Sequence, residues 1–175
     1  YERTHDYADD AAVCLRSVGF CGDKTRRLYD SLFRLIEVWS GTQDIPDQQD
    51  ATWQDWTPDA PGTDLVRLES RIYDEGFSQA PSRLTAILHY ATEVEVREEH
   101  FTHDFRGRVT AHQQSGLLTL VHTYDNEDRL LSTGLHDGSA EGTLAALEDF
   151  AYDKRGRLYL SRRHAVNPTT GAIGE

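Results

Sequence analysis

The sequence predicts an all-β chain, an array of antiparallel β-hairpins. Three observations carry that prediction. A seven-residue pattern, Tyr-Asp, two variable residues, a glycine position and Arg-Leu, recurs along the chain. Rings upstream of it alternate with period two, as side chains on one strand face do. Asp and Gly fall where a tight turn needs them. The 175 residues are 38% apolar and 10% aromatic, enough for packed faces, and no apolar run nears the roughly 18 residues of a membrane span.

Residues 1–28 read as a lead-in with room for a degenerate repeat, and Asp9 to Leu15 as a short helical turn. The chain has no methionine and starts at Tyr1, which reads as a processed product or an internal piece of a longer polypeptide. Its two cysteines, Cys14 and Cys21, are spaced too widely for a CxxC motif and are too few for a zinc cage. A local disulfide and two free buried thiols both fit.

The array itself spans 29–164. Its first copy, Tyr29-Asp30-Ser31-Leu32-Phe33-Arg34-Leu35, puts Phe33 at the glycine position, so this turn is expected to differ from the others. An inserted loop at 41–64 follows, rich in Asp, Gln, Thr and Pro. In the second copy the frame Tyr73-Asp74 to Arg83-Leu84 survives around a longer connection. The third is His103-Asp104-Phe105-Arg106-Gly107-Arg108-Val109, with His in place of Tyr. The fourth, Tyr124-Asp125-Asn126-Glu127-Asp128-Arg129-Leu130, has Asp128 at the glycine position. The fifth, Tyr152-Asp153-Lys154-Arg155-Gly156-Arg157-Leu158, matches throughout. Successive copies lie 44, 30, 21 and 28 residues apart, so the shortest interval approximates the bare repeat. Ser139 to Leu147 reads as a helical turn before the strand at Phe150, and 165–175 as a tail.

Each copy has the chemistry of a hairpin. The Asp carboxylate can accept backbone N–H groups within the turn, and glycine suits the left-handed position that closes a type I turn with a bulge. The Arg that opens the return strand can pair with the turn Asp or with a neighbouring strand's carboxylate. One hairpin is marginal in water, whereas stacked neighbours bury one another's faces.

Function classes narrow accordingly. A net charge of -12, spread along the chain, argues against a nucleic-acid partner. His100, His103 and Asp104 invite a metal reading, but His100 and His103 point to opposite faces of a strand, and His103 occupies a ring position of the repeat. The repeat aspartates are serial turn formers, and no phosphate loop, nucleophile elbow or His-Glu-x-x-His pattern is present. No catalytic residue, metal ligand or cofactor is assigned. Trp53 and Trp56, with Trp39, read either as anchors for the inserted loop or as a sugar-stacking platform.

The Tyr-Asp-x-x-Gly-Arg-Leu copies, covering roughly Tyr29 to Leu160, resemble the Rhs/YD-repeat family. The first, extended as YDSLFRLIEVWSG, resembles a stretch of the B and C components of Tc insecticidal toxin complexes and their SpvB-like relatives. The resemblance implies a curved or spiralling sheet, one segment of a cocoon-like shell. Such shells enclose a toxin domain, and animal relatives use theirs for adhesion. It further implies a secreted or cell-surface location, no catalysis in this segment, and pairing with further YD repeats of the same or another chain. Family shells end in an aspartate-based self-cleavage segment, which the tail HAVNPTTGAIGE does not match. The rival expectations are an extracellular filament or sheath subunit, a homopolymer growing through unpaired edges, and an adhesion or glycan-binding module.

Overall fold

The computed structural model describes residues 3–7, 13–19, 22–58, 62–74, 82–92, 94–114, 118–167 and 169–174. The fold is all-β: twelve strands in one antiparallel sheet, hydrogen-bonded in chain order without a crossover, and not closed. The chain divides into two compact units, Tyr1–Ile72 with Ile87–Arg97 and Tyr73–Ala86 with Glu98–Glu175.

The first unit holds β1 (Arg3–Tyr7), β2 (Val13–Val18), β3 (Lys24–Tyr29), β4 (Leu35–Gly41), most of β5 (Val66–Tyr73) and the end of β6 (Leu84–Tyr90). The insertion between β4 and β5 carries a 3-10 turn, Trp53–Asp55, capped by Thr52. At its base the Asp64 carboxylate accepts the backbone N–H groups of Thr42 (2.7 Å) and Gln43 (2.5 Å). The second unit holds most of β7 (Val96–His103), then β8 (Val109–Gln114), β9 (Thr119–Tyr124), β10 (Leu130–His136), β11 (Leu144–Tyr152) and β12 (Leu158–His164).

The Tyr-Asp turns all follow odd-numbered strands: β3, β5, β7, β9 and β11. The ring residue and the Leu or Val six positions on are register partners in Tyr29↔Leu35, His103↔Val109, Tyr124↔Leu130 and Tyr152↔Leu158, each beside a bulge. Tyr7↔Val13 in β1 and β2 has the same six-residue spacing, although Ala8 and Ala12 stand where the other copies have Asp and Arg.

Three expectations are corrected. The Phe33 turn does not differ: Phe33 takes a φ of 58°, as Asp128 (63°), Gly107 (87°) and Gly156 (75°) do, and donates its N–H to the Asp30 carbonyl at 2.9 Å. The carboxylate clamp described below holds it there. Residues 144–147 are strand, not helix, because pairing with β10 and β12 overrides the helix preference of Leu and Ala; Ser139 to Gly142 make a turn in which Gly142 N–H meets the Ser139 carbonyl. Val13 to Leu15 lie in β2 for the same reason. Residues 9–12 of that expected helix, Cys21, the Cys14 side chain and the 75–81 connection lie outside the described residues.

Among the described residues the buried apolar side chains include Trp56, Leu65 and Ala86, and the most deeply buried side chains are polar: Arg26, Asp44 and Thr119. In the first unit, burial concentrates where the insertion meets the sheet.

Candidate functional site

Each Tyr-Asp turn is built on one carboxylate. Asp125 Oδ1 accepts the backbone N–H groups of Glu127 (2.8 Å) and Arg129 (3.0 Å), and Oδ2 accepts Arg129 Nε (2.6 Å). Asp30 does the same with Leu32 and Arg34, Asp104 with Arg106 and Arg108, and Asp153 with Arg155 and Arg157. Where the connection is longer, the Asp74 N–H still donates to the Arg83 carbonyl (2.9 Å), and the Arg83 N–H donates to Asp74 Oδ1 at 2.5 Å.

For Asp30, Asp104 and Asp125, desolvation alone would raise the pKa, but the clamping Arg side chain and N–H donors together lower it; at Asp153 the Arg157 N–H and guanidinium dominate from the start. A carboxylate held ionised by three donors stabilises a turn and is poorly suited to proton transfer.

The arginines also reach onward to the next copy. Arg83 Nη1 donates to the Asp104 carbonyl (2.6 Å) and Nη2 to that of Phe105 (3.1 Å). Arg108 Nη1 donates to the Asp125 carbonyl (2.8 Å), and its guanidinium lies 4.7 Å from the Tyr124 ring centre. Arg129 lies 5.2 Å from the Tyr152 ring. The rings answer in the opposite direction: Tyr124 OH donates to the Val109 carbonyl (2.9 Å) and Tyr152 OH to that of Leu130 (3.0 Å). The Arg108 and Arg129 clamps therefore close their own turns and grip their successors. The last one, Arg157, is 71% exposed, against 20% for Arg108 and 28% for Arg129.

Two parts of this relay escape the sequence pattern. Asp128, read as a tolerable glycine substitute, also accepts from Arg106 (3.0 Å) and Arg108 (2.8 Å). An acid at the glycine position, one repeat beyond a pair of arginines, was the signal. His103 fills a ring position but has no phenol with which to copy the Tyr124 and Tyr152 bonds.

At the insertion, Asp44 is the hub. It is fully buried and meets Arg16 Nε at 2.6 Å, Arg26 Nη2 at 2.9 Å and Lys24 Nζ at 3.6 Å. Burial would raise its pKa, but the Arg16 and Arg26 charges and hydrogen bonds lower it overall. Arg26 also donates to the Trp53 carbonyl. Arg16 and Arg26 lie over the Trp53 ring at 5.4 and 5.7 Å, and Arg26 over Trp56 at 4.9 Å. Trp56 is 7% exposed and meets Trp39 edge-on at 5.7 Å. Both Trp53 and Trp56 thus pack on guanidinium groups that fasten the loop.

The histidines disperse. His100 meets Glu98 (3.1 Å), while His112 stacks on Phe101 (4.6 Å between ring centres) and meets Glu99 (3.1 Å). His122 bonds Thr133 (3.1 Å), its pKa lowered by burial and by the nearby His112 charge. Among the described residues, no three His, Cys, Asp or Glu side chains are grouped to hold a metal, and no helix is long and apolar enough to cross a membrane.

No protein-family model matches the sequence, and no curated protein is significantly similar to it.

Proposed function

We propose that this chain is a non-catalytic structural segment of a secreted YD-repeat shell, of the kind that encloses a toxin domain. The supporting observation is the directional relay, in which Arg83 and Arg108 donate to carbonyls of the following copy while the Tyr124 and Tyr152 hydroxyls return to the preceding strand's carbonyls. Such a relay adds one hairpin at a time and has no intrinsic last member. At β12 the next grip is exposed: Arg157 at 71%, Leu158 at 53% and Tyr159 at 67%. The strand β12 itself carries no proline of the kind that blunts edge strands in self-contained sheets. The strip therefore pairs there with further YD repeats, of the same polypeptide or of another.

Electron microscopy of the purified chain tests this reading. The expected result is sheet-like assemblies or shells joined edge to edge, and their loss in Leu160→Pro, which removes a β12 N–H without touching a clamp. Lone particles at every concentration, unchanged by Leu160→Pro, would contradict it.

A further inference from the structure

A second feature is independent of the shell reading. Where the insertion rejoins the sheet, beside the turn between β6 and β7, lies a cleft of about 440 Å³ lined by Trp39, Pro58, Leu65, Arg67, Tyr90 and Thr92. That volume is in the range of small-molecule sites, which combine apolar walls with a few placed polar groups. Its floor is a cross-strand row. Trp39 on β4 and Arg67 on β5 are register partners, and the Arg67 guanidinium lies 4.2 Å from the Tyr90 ring centre and 5.7 Å from that of Trp39. Glu37 organises the row by accepting Arg67 Nη1 at 3.3 Å and Trp39 Nε1 at 2.8 Å. Stacking and pairing hold these groups in place before any ligand arrives.

The polar groups select the ligand class. Arg67 brings N–H donors, its charge offset by Glu37, which lies outside the lining. Thr92 Oγ1 accepts the N–H groups of Val94 (3.3 Å) and Glu95 (2.9 Å), leaving its own hydroxyl proton to donate. An anionic ligand would find the Arg67 charge already paired with Glu37, within a chain of net charge -12. A cationic one would meet Arg67. A wholly apolar ligand would cover donors without pairing them, leaving each buried and unsatisfied. A pyranose avoids all three penalties, because its C–H face suits the ring and proline walls while adjacent hydroxyls accept from Arg67 and from the Thr92 hydroxyl. We propose that this cleft binds a neutral pyranose unit of a glycan, with Trp39, Tyr90, Arg67 and Thr92 as its contacts. The aromatic walls of this cleft are Trp39 and Tyr90.

Calorimetry of the 175-residue chain against neutral di- and trisaccharides of hexoses and N-acetylhexosamines at about 10 mM tests this, since weak single-site sugar binding is resolved in that range. At least one saccharide is expected to bind, with affinity falling about tenfold, the equivalent of about 1.4 kcal/mol, in Tyr90→Leu. Ala91→Trp should abolish binding. Ala91 is exposed, and its N–H bond to the Glu95 carbonyl survives the change, so this variant fills the cleft mouth without removing a contact, and its thermal melt should match the parent's. Absence of binding across the panel, or binding unchanged in Ala91→Trp, would overturn the proposal. Binding confined to uronate- or sialate-bearing glycans would overturn the neutral assignment.

Discussion

At Phe33 the backbone sits at a φ of 58° with the ring 69% exposed, so the strain is not offset by packing of that ring. Left-handed geometry costs a non-glycine residue roughly 1–2 kcal/mol. Phe33→Gly should therefore stabilise the chain by about 1 kcal/mol, measured by chemical denaturation. A neutral or destabilising result would mean that the ring makes contacts in the folded chain.

His103→Tyr should raise the melting temperature if the new phenol reaches a strand carbonyl as Tyr124 and Tyr152 do; a lowered midpoint would show the site shaped for imidazole. The clamps also make stability depend on acid. Asp125 has a lowered pKa in the fold, so the folded state binds a proton less readily than the unfolded chain. Its contribution is complete above the unfolded value, near pH 4 for aspartate, and is lost as pH falls through the lower folded value. Thermal melts should show Asp125→Asn least stable relative to the parent near neutral pH, with the gap closing below about pH 4. A gap independent of pH would assign the loss to something other than the ionised clamp.

On the scale of elements, the hairpins were legible because their information is local. Asp opens the turn, Gly or Asp takes the left-handed position, and Arg returns to the same Asp, all within seven residues. The Phe33 turn was misjudged because side-chain propensity was weighed without the three bonds of the Asp30 carboxylate. β11 was misjudged because Leu144 to Leu147 favour helix locally while two flanking strands decide the outcome.

The Asp44 hub was illegible for a different reason. Its partners Arg16, Lys24 and Arg26 lie 28, 20 and 18 residues away, and no motif links them. The same distance hid the row of Trp39, Arg67 and Tyr90, whose register depends on where the insertion re-enters the sheet. With three cations around one buried carboxylate, Asp44→Ala should cost about 3 kcal/mol, at the lower end for breaking a buried pair because Arg16 and Lys24 keep some solvent. Trp53 emission should shift to the red as the loop detaches. A loss under about 1 kcal/mol would show the loop held by its tryptophans rather than by the charge hub.

For the molecule as a whole, the proposed role depends on whether the relay truly propagates. In arrays of this kind stability is a sum of repeat terms and nearest-neighbour terms, so a clamp with a successor is worth more than one without. The internal Arg108 and Arg129 have successors, and the exposed Arg157 does not. Duplicating residues 137–164 directly after His164 repeats the connection that follows β10 and supplies the Tyr-Asp hairpin that Arg157 would grip. Hydrogen exchange across Leu158–His164 in this extended chain is the most direct measurement. If hairpins add by the relay, the β12 amides slow markedly and the protection is lost again in Arg157→Ala. If β12 exchanges as fast as before while the added copy remains unstructured, the relay ends where this chain ends and the shell-segment reading fails.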